Sequence, residues 1–194
     1  MSRKHVWAGL GSIALLSGAV AAHPHDGPEL DDRFAAMAPL VGYEWTIDAK
    51  WADGTEIKAR NQYRMGLNGQ FVVADTFAAD AGGPEYHRYH TIYTIDPRSR
   101  ELIAHGFTFD GTAAVVEFEL TESDDGDTVL QATTENPGGL LRQSIEIEGD
   151  RYVWNVWMQP AGMDEWMPMM TDGVWKRGEA LDHGHDHDHD HGHH

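Results

Sequence analysis

Tyr43-Glu44-Trp45-Thr46-Ile47-Asp48-Ala49-Lys50-Trp51 decides the fold class. Apolar side chains fall on the odd positions and polar ones on the even positions. Successive side chains of a strand point to opposite faces, so this stretch reads as a strand with one buried and one wet face. The same period returns at Ile57, Ala59, Asn61, Tyr63 and Met65, against Glu56, Lys58, Arg60, Gln62 and Arg64. It returns again at Leu141, Gln143, Ile145 and Ile147, against Arg142, Ser144, Glu146 and Glu148. Further strands are expected at 70–78, 85–95, 101–109, 112–121, 127–135, 151–159 and 166–176, about ten in all.

Turn chemistry joins these segments. Asp53-Gly54, Asn68-Gly69, Asp110-Gly111 and Gly149-Asp150 sit at the breaks, and Asp96-Pro97 opens another turn. Such dipeptides supply the positive φ that tight hairpins require. Neighbouring hairpins give an antiparallel meander, and a long meander with one wet face must close or stack to hide its edges. The expectation is a mostly β, single antiparallel up-and-down barrel of eight to ten strands. A two-layer sandwich is the alternative. Upstream, residues 29–41 read as a short N-terminal helix, with Leu30, Phe34 and Met37 at helical spacing and Pro39 limiting its length.

The two ends read differently. Residues 1–22 have the form of a signal peptide: Arg3 and Lys4, an apolar run to Val20, then Ala21-Ala22. The apolar run, about 15 residues, is short of the roughly 20 needed to span a bilayer. Cleavage after Ala22, a periplasmic or secreted location and no membrane span afterwards are the expectation. Residues 23–28 read as a linker, because Pro24 removes the second-residue amide that an amino-terminal copper site needs. Residues 29–178 form the barrel domain and 179–194 a disordered His/Asp-rich tail. Of the chain's 13 histidines, seven lie in that tail: His183, His185, His187, His189, His191, His193 and His194. Imidazole is the commonest protein ligand for zinc, nickel and copper, and histidine at every second residue lets a flexible chain wrap several rings around one ion.

Composition narrows the function. The chain of 194 residues carries 14 Lys+Arg against 32 Asp+Glu, a formal net charge of −18. Such a surface repels phosphate backbones and anionic lipid, which argues against nucleic acid as a partner. With no Cys, thiol catalysis, thiolate metal sites and disulfides are excluded. Hydrophobic residues at 41% and seven Trp provide a core of ordinary size. No nucleophile elbow, phosphate loop, H-E-x-x-H helix or calcium loop is present, so the reading is first an exported binding protein whose His-rich tail holds zinc, nickel or copper, and second a carrier of a small apolar or aromatic molecule, rather than an enzyme.

Closing Asp110-Gly111 as a two-residue turn pairs His105 with Val116 and Ile103 with Phe118. Pairing Met65 with Phe71 sets Asn61 beside Asp75. With His87, Tyr89, Thr91 and Tyr93 as the inner face of their strand, Asn61, Asp75, His87, Tyr89 and His105 share one interior. That set makes a polar network closing the barrel, a pocket for a small apolar or aromatic molecule, or a metal or catalytic centre. Small barrels enclose either side chains or one small ligand. An enzyme using Asp75 and His105 is the lesser alternative. His87-x-x-His90 spans three residues of a strand and so reads as a poor metal pair, with His90 facing out. Met158, Met163, Met167, Met169 and Met170 beside Trp154, Trp157 and Trp166 read as core filler, with a thioether site for Cu(I) as the alternative.

Leu40-Val41-Gly42-Tyr43-Glu44-Trp45 resembles the entry of lipocalin-like (calycin) barrels, and Gly173-Val174-Trp175-Lys176-Arg177 resembles their last strand. Gly66-Leu67-Asn68-Gly69-Gln70-Phe71 and Tyr93-Thr94-Ile95-Asp96-Pro97 are similar to uncharacterised secreted bacterial members of that class. The resemblance covers residues 30–177. It implies that a basic residue of the last strand, Arg177, packs across the Trp of the first strand, Trp45. It carries no ligand.

Overall fold

The computed structural model describes residues 30–79 and 83–181. Ten strands follow a short 3-10 helix, Asp32–Met37: β1 (Tyr43–Lys50), β2 (Glu56–Gly66), β3 (Phe71–Ala79), β4 (Glu85–Ile95), β5 (Leu102–Thr108), β6 (Ala113–Glu122), β7 (Thr128–Asn136), β8 (Gly139–Glu148), β9 (Arg151–Pro160) and β10 (Met167–Ala180). Each pairs antiparallel with its neighbours in the chain, and β10 returns to β1, closing the barrel without a free edge. The expected strands are all present. The helix is shorter than the expected 29–41, because Phe34 leaves helical φ/ψ and Pro39 follows within two residues of the helix end. The signal peptide, the linker and the tail histidines lie outside the described residues. Among the described residues, no helix is long and apolar enough to cross a membrane.

The helix plugs one end. Asp31 caps it by accepting from the Arg33 N–H at 3.0 Å. Phe34, Met37 and Leu40 are buried in one apolar cluster with Trp45, Val72, Leu130 and Tyr152. Trp45 is wholly inaccessible, and its Nε1 donates to the Leu40 carbonyl at 2.9 Å. Arg177 lies over the Trp45 ring, 5.2 Å from its centroid, and over Tyr43 at 4.5 Å. Its Nη2 donates to the carbonyls of Gly149 at 2.5 Å and Pro39 at 3.2 Å. One cation thus ties the helix exit, the β8–β9 turn and the first strand together at the closed end.

Two hairpins differ from the expected register by one residue. β5 and β6 close through Phe109, Asp110 and Gly111, three residues instead of two. The Thr108 N–H bonds to the Thr112 carbonyl at 2.8 Å and the Gly111 N–H to the Thr108 carbonyl at 3.0 Å, with Gly111 at φ +85°. This is a turn followed by a left-handed glycine. His105 therefore pairs with Val115, and Leu102 with Phe118. β2 and β3 close through four residues, Leu67 to Gln70, with Leu67, Asn68 and Gly69 all at positive φ. Gly66 pairs with Phe71, Met65 with Val72 and Asn61 with Thr76. Since side chains alternate, each slip exchanges the two faces of a strand. Asp75 and His105 leave the interior by this route.

Between β3 and β4 the ladder contains a bulge. Thr76 pairs with Tyr89 but Phe77 pairs with His87, so Arg88 is an extra residue. Its carbonyl is taken by the Phe109 N–H at 3.0 Å. The bulge reverses alternation at one point. Tyr89, Thr91 and Tyr93 face inward as expected, while His87 joins His90 on the outer face.

Candidate functional site

Inside the barrel is a cavity of about 630 Å³. Its walls include Trp51, Asn61, Tyr89, Trp154, Met169 and Trp175. Of the five residues expected to share the interior, Asn61 and Tyr89 line it, and Asp75, His87 and His105 do not. His105 lies half-buried on the outside, hydrogen-bonded through Nε2 to Thr94 Oγ1 at 3.1 Å. The methionines are dispersed. Met170 is buried, Met169 lines the cavity, and Met163 and Met167 are about half exposed.

The cavity floor is polar. Asn61 Nδ2 donates to the Tyr152 hydroxyl at 2.9 Å. The Tyr63 hydroxyl bonds with Tyr152, Asn61 and Tyr93. Burial pushes all three phenols above the usual tyrosine range, so they are neutral hydroxyls across physiological pH. Two wholly buried atoms of wall residues have no protein partner, Asn61 Oδ1 and Trp175 Nε1. One is an acceptor and the other a donor, and an unpaired buried polar group costs about 1–3 kcal/mol. Above the floor, rings run along the wall toward the mouth. Tyr152 stacks on Trp175 at 5.4 Å, Trp175 meets Trp154 at 6.4 Å, and Trp154 meets Trp51 edge-on at 5.8 Å. At the mouth, Arg88 Nε donates to the Tyr89 hydroxyl at 3.2 Å.

A second constellation lies on the outer face of β2, β3 and β4. The Asp75 side chain is 7% exposed although its strand face is outward, because three side chains cover it. Arg64 Nη2 donates to Asp75 Oδ2. His90 Nδ1 lies 2.7 Å and His87 Nε2 3.0 Å from Oδ1. Burial raises the Asp75 pKa, but the His90 hydrogen bond and the charges of Arg64, His90 and His87 outweigh it and hold it below the usual carboxylate value. His87 stacks on Phe77 at 4.9 Å. Arg60 covers the same Phe77 ring at 3.9 Å, and itself pairs with Glu85 and Glu44. The grouping of Asp75, His87 and His90 was missed in the sequence because the expected β2–β3 register put Asp75 inside and a regular strand sets His87 and His90 on opposite faces. The extra residue Arg88, which brings them together, has no sequence signal of its own.

These features define a class, a closed ten-stranded antiparallel barrel with an aromatic-walled interior cavity. The chain is similar in fold to the crystal structure of Rv2717c from M. tuberculosis, at TM-score 0.59 and 15% identity, the match covering 78% of this chain and 100% of that one. The likeness is one of fold. The chain matches no protein-family model and no curated protein.

Proposed function

We propose that this chain is an exported, lipocalin-like binding protein whose barrel receives one small apolar or aromatic molecule. The observation that carries the reading is the 630 Å³ cavity, walled by Trp51, Trp154, Trp175 and Met169 and floored by neutral hydroxyls. Cavities of this size and lining accept a small molecule and orient it through a few polar groups.

Titration with the neutral apolar probe N-phenyl-1-naphthylamine, read by quenching of tryptophan fluorescence, tests the reading. Gly106 is the matched control. A Cβ built there meets nothing nearer than the Ala114 carbonyl at 3.9 Å, and the residue lines the cavity. Gly106→Leu is expected to leave the fold intact and to weaken probe binding at least tenfold. Equal binding by both forms places the probe elsewhere and sinks the reading.

Metal handling is the second reading, favoured by the seven tail histidines His183 to His194. Imidazoles at this density bind zinc, nickel or copper, and the barrel then serves as the exported body of a metal buffer.

A further inference from the structure

We propose that Asp75, His87 and His90 form a divalent transition-metal site on the outer face of β3 and β4, with three protein ligands and a fourth position open to solvent. The donor set is two imidazoles and one carboxylate, which suits zinc and its neighbours in the first transition row. One donor atom from each residue lies within 4.8 Å of the other two. Tetrahedral coordination at bonds of about 2.0–2.1 Å places ligand atoms about 3.3 Å apart. Asp75 Oδ1 already stands 2.7 Å from His90 Nδ1 and 3.0 Å from His87 Nε2. Only small rotations of the half-exposed rings are needed to admit an ion.

Two independent features argue for a built site. The first is the bulge. Without Arg88 as an extra residue, His87 would alternate into the barrel and the pair would be split across the sheet. Bulges recur where a strand must re-aim a side chain. The second is the support around the donors. Arg64 occupies Asp75 Oδ2 and leaves Oδ1 toward the histidines, fixing the carboxylate as a one-oxygen ligand. The Phe77 ring stacks on His87, and Phe107 lies 6.4 Å from His90. Partners that orient ligands in this way tune metal sites as strongly as many direct ligands do. This inference is independent of the cavity, since none of the three donors lines it.

The tail must be silenced to see this site. In the full-length chain with all seven tail histidines changed to Asn, Zn2+ calorimetry is expected to show one site per chain. His87→Asn and His90→Asn in that background should each weaken it at least tenfold, with unchanged circular dichroism. Absence of zinc binding by the parent overturns the proposal, as does binding by either variant equal to the parent's. A measurement on the parent avoids any folding defect of the variants. Paramagnetic Co2+ should shift or broaden the ring proton signals of Phe77 and Phe107, the residues against His87 and His90. Bound Co2+ that leaves both rings unmoved overturns the assignment.

Discussion

Replacing Trp45 tests how the closed end of the barrel is held. The indole is fully buried, touches Tyr152 at 5.2 Å between ring centroids, and underlies Arg177. An aromatic side chain of this kind buries roughly 200 Å², which at about 25 cal/mol/Å² gives about 5 kcal/mol. That figure is an upper bound, because the unfolded chain is itself partly collapsed. Buried Trp→Ala changes cost about 3–5 kcal/mol. For a domain of this size the loss should lower the melting temperature by about 6–20 °C. Trp45→Phe separates the contributions. It keeps most of the packing and the face under Arg177, but removes the N–H bonded to the Leu40 carbonyl, at a cost of about 1–3 kcal/mol. Urea unfolding followed by circular dichroism measures both variants against the wild type. The expected order is wild type, then Phe, then Ala. A loss below about 1 kcal/mol for Trp45→Ala, at unchanged m-value, would refute the argument that this ring closes the barrel.

Gly139→Ala should lose at least about 1–3 kcal/mol, because the residue has φ +137° and a Cβ there falls 2.0 Å from the Gln159 carbonyl oxygen, which is backbone and cannot swing away; thermal unfolding checks it. Asp75 has a depressed pKa in the fold, so its contribution is fully present above its unfolded pKa, about 3.9, and is lost as pH falls through the folded value. Stability curves of wild type and Asp75→Asn should therefore converge on acidification below about pH 4, and parallel curves would contradict the linkage. Changing the seven tail histidines to Asn should remove most zinc and nickel uptake at neutral pH while leaving the melting temperature of the metal-free protein nearly unchanged, as calorimetry and circular dichroism will show. N-terminal sequencing of envelope material should begin at His23, and an intact Met1 there would contradict the export reading.

The barrel was legible in the sequence because period-two alternation is robust to small errors. The strand from Tyr43 to Lys50 reads the same whatever its partner's register, and hairpin turns every ten residues or so leave little choice but a closed meander. The pairing across the closed end was legible as well. Arg177 does lie over Trp45, where packing of a long cation on a ring fixes both side chains. The site was not legible to the same depth, because membership of a face depends on the parity of a loop. Asp110-Gly111 reads as a two-residue turn, yet Phe109 joins the loop. Asn68-Gly69 reads as the centre of an odd-numbered loop that pairs Met65 with Phe71, yet Gln70 joins it and the loop spans Leu67 to Gln70. Each added residue moved a titratable side chain through the wall: His105 in the first hairpin, Asp75 in the second.

The consequence is chemical. In the expected register a carboxylate and two imidazoles would have stood in a low-dielectric interior, where an ionised Asp costs several kcal/mol unless fully paired. The observed register leaves the cavity floor to neutral polar groups, Asn61 and three tyrosine hydroxyls, and moves Asp75 to the outer face. There Arg64 and two histidines supply the compensation that the interior lacked. The slips therefore sort the polar residues by charge, leaving the cavity able to hold an uncharged molecule and the outer face able to hold a cation. A ligand bearing a full charge gains nothing from the cavity floor, since the neutral Asn61 amide and tyrosine hydroxyls there cannot neutralise it. Anionic and neutral probes of matched shape should separate on this ground, the neutral one binding more tightly.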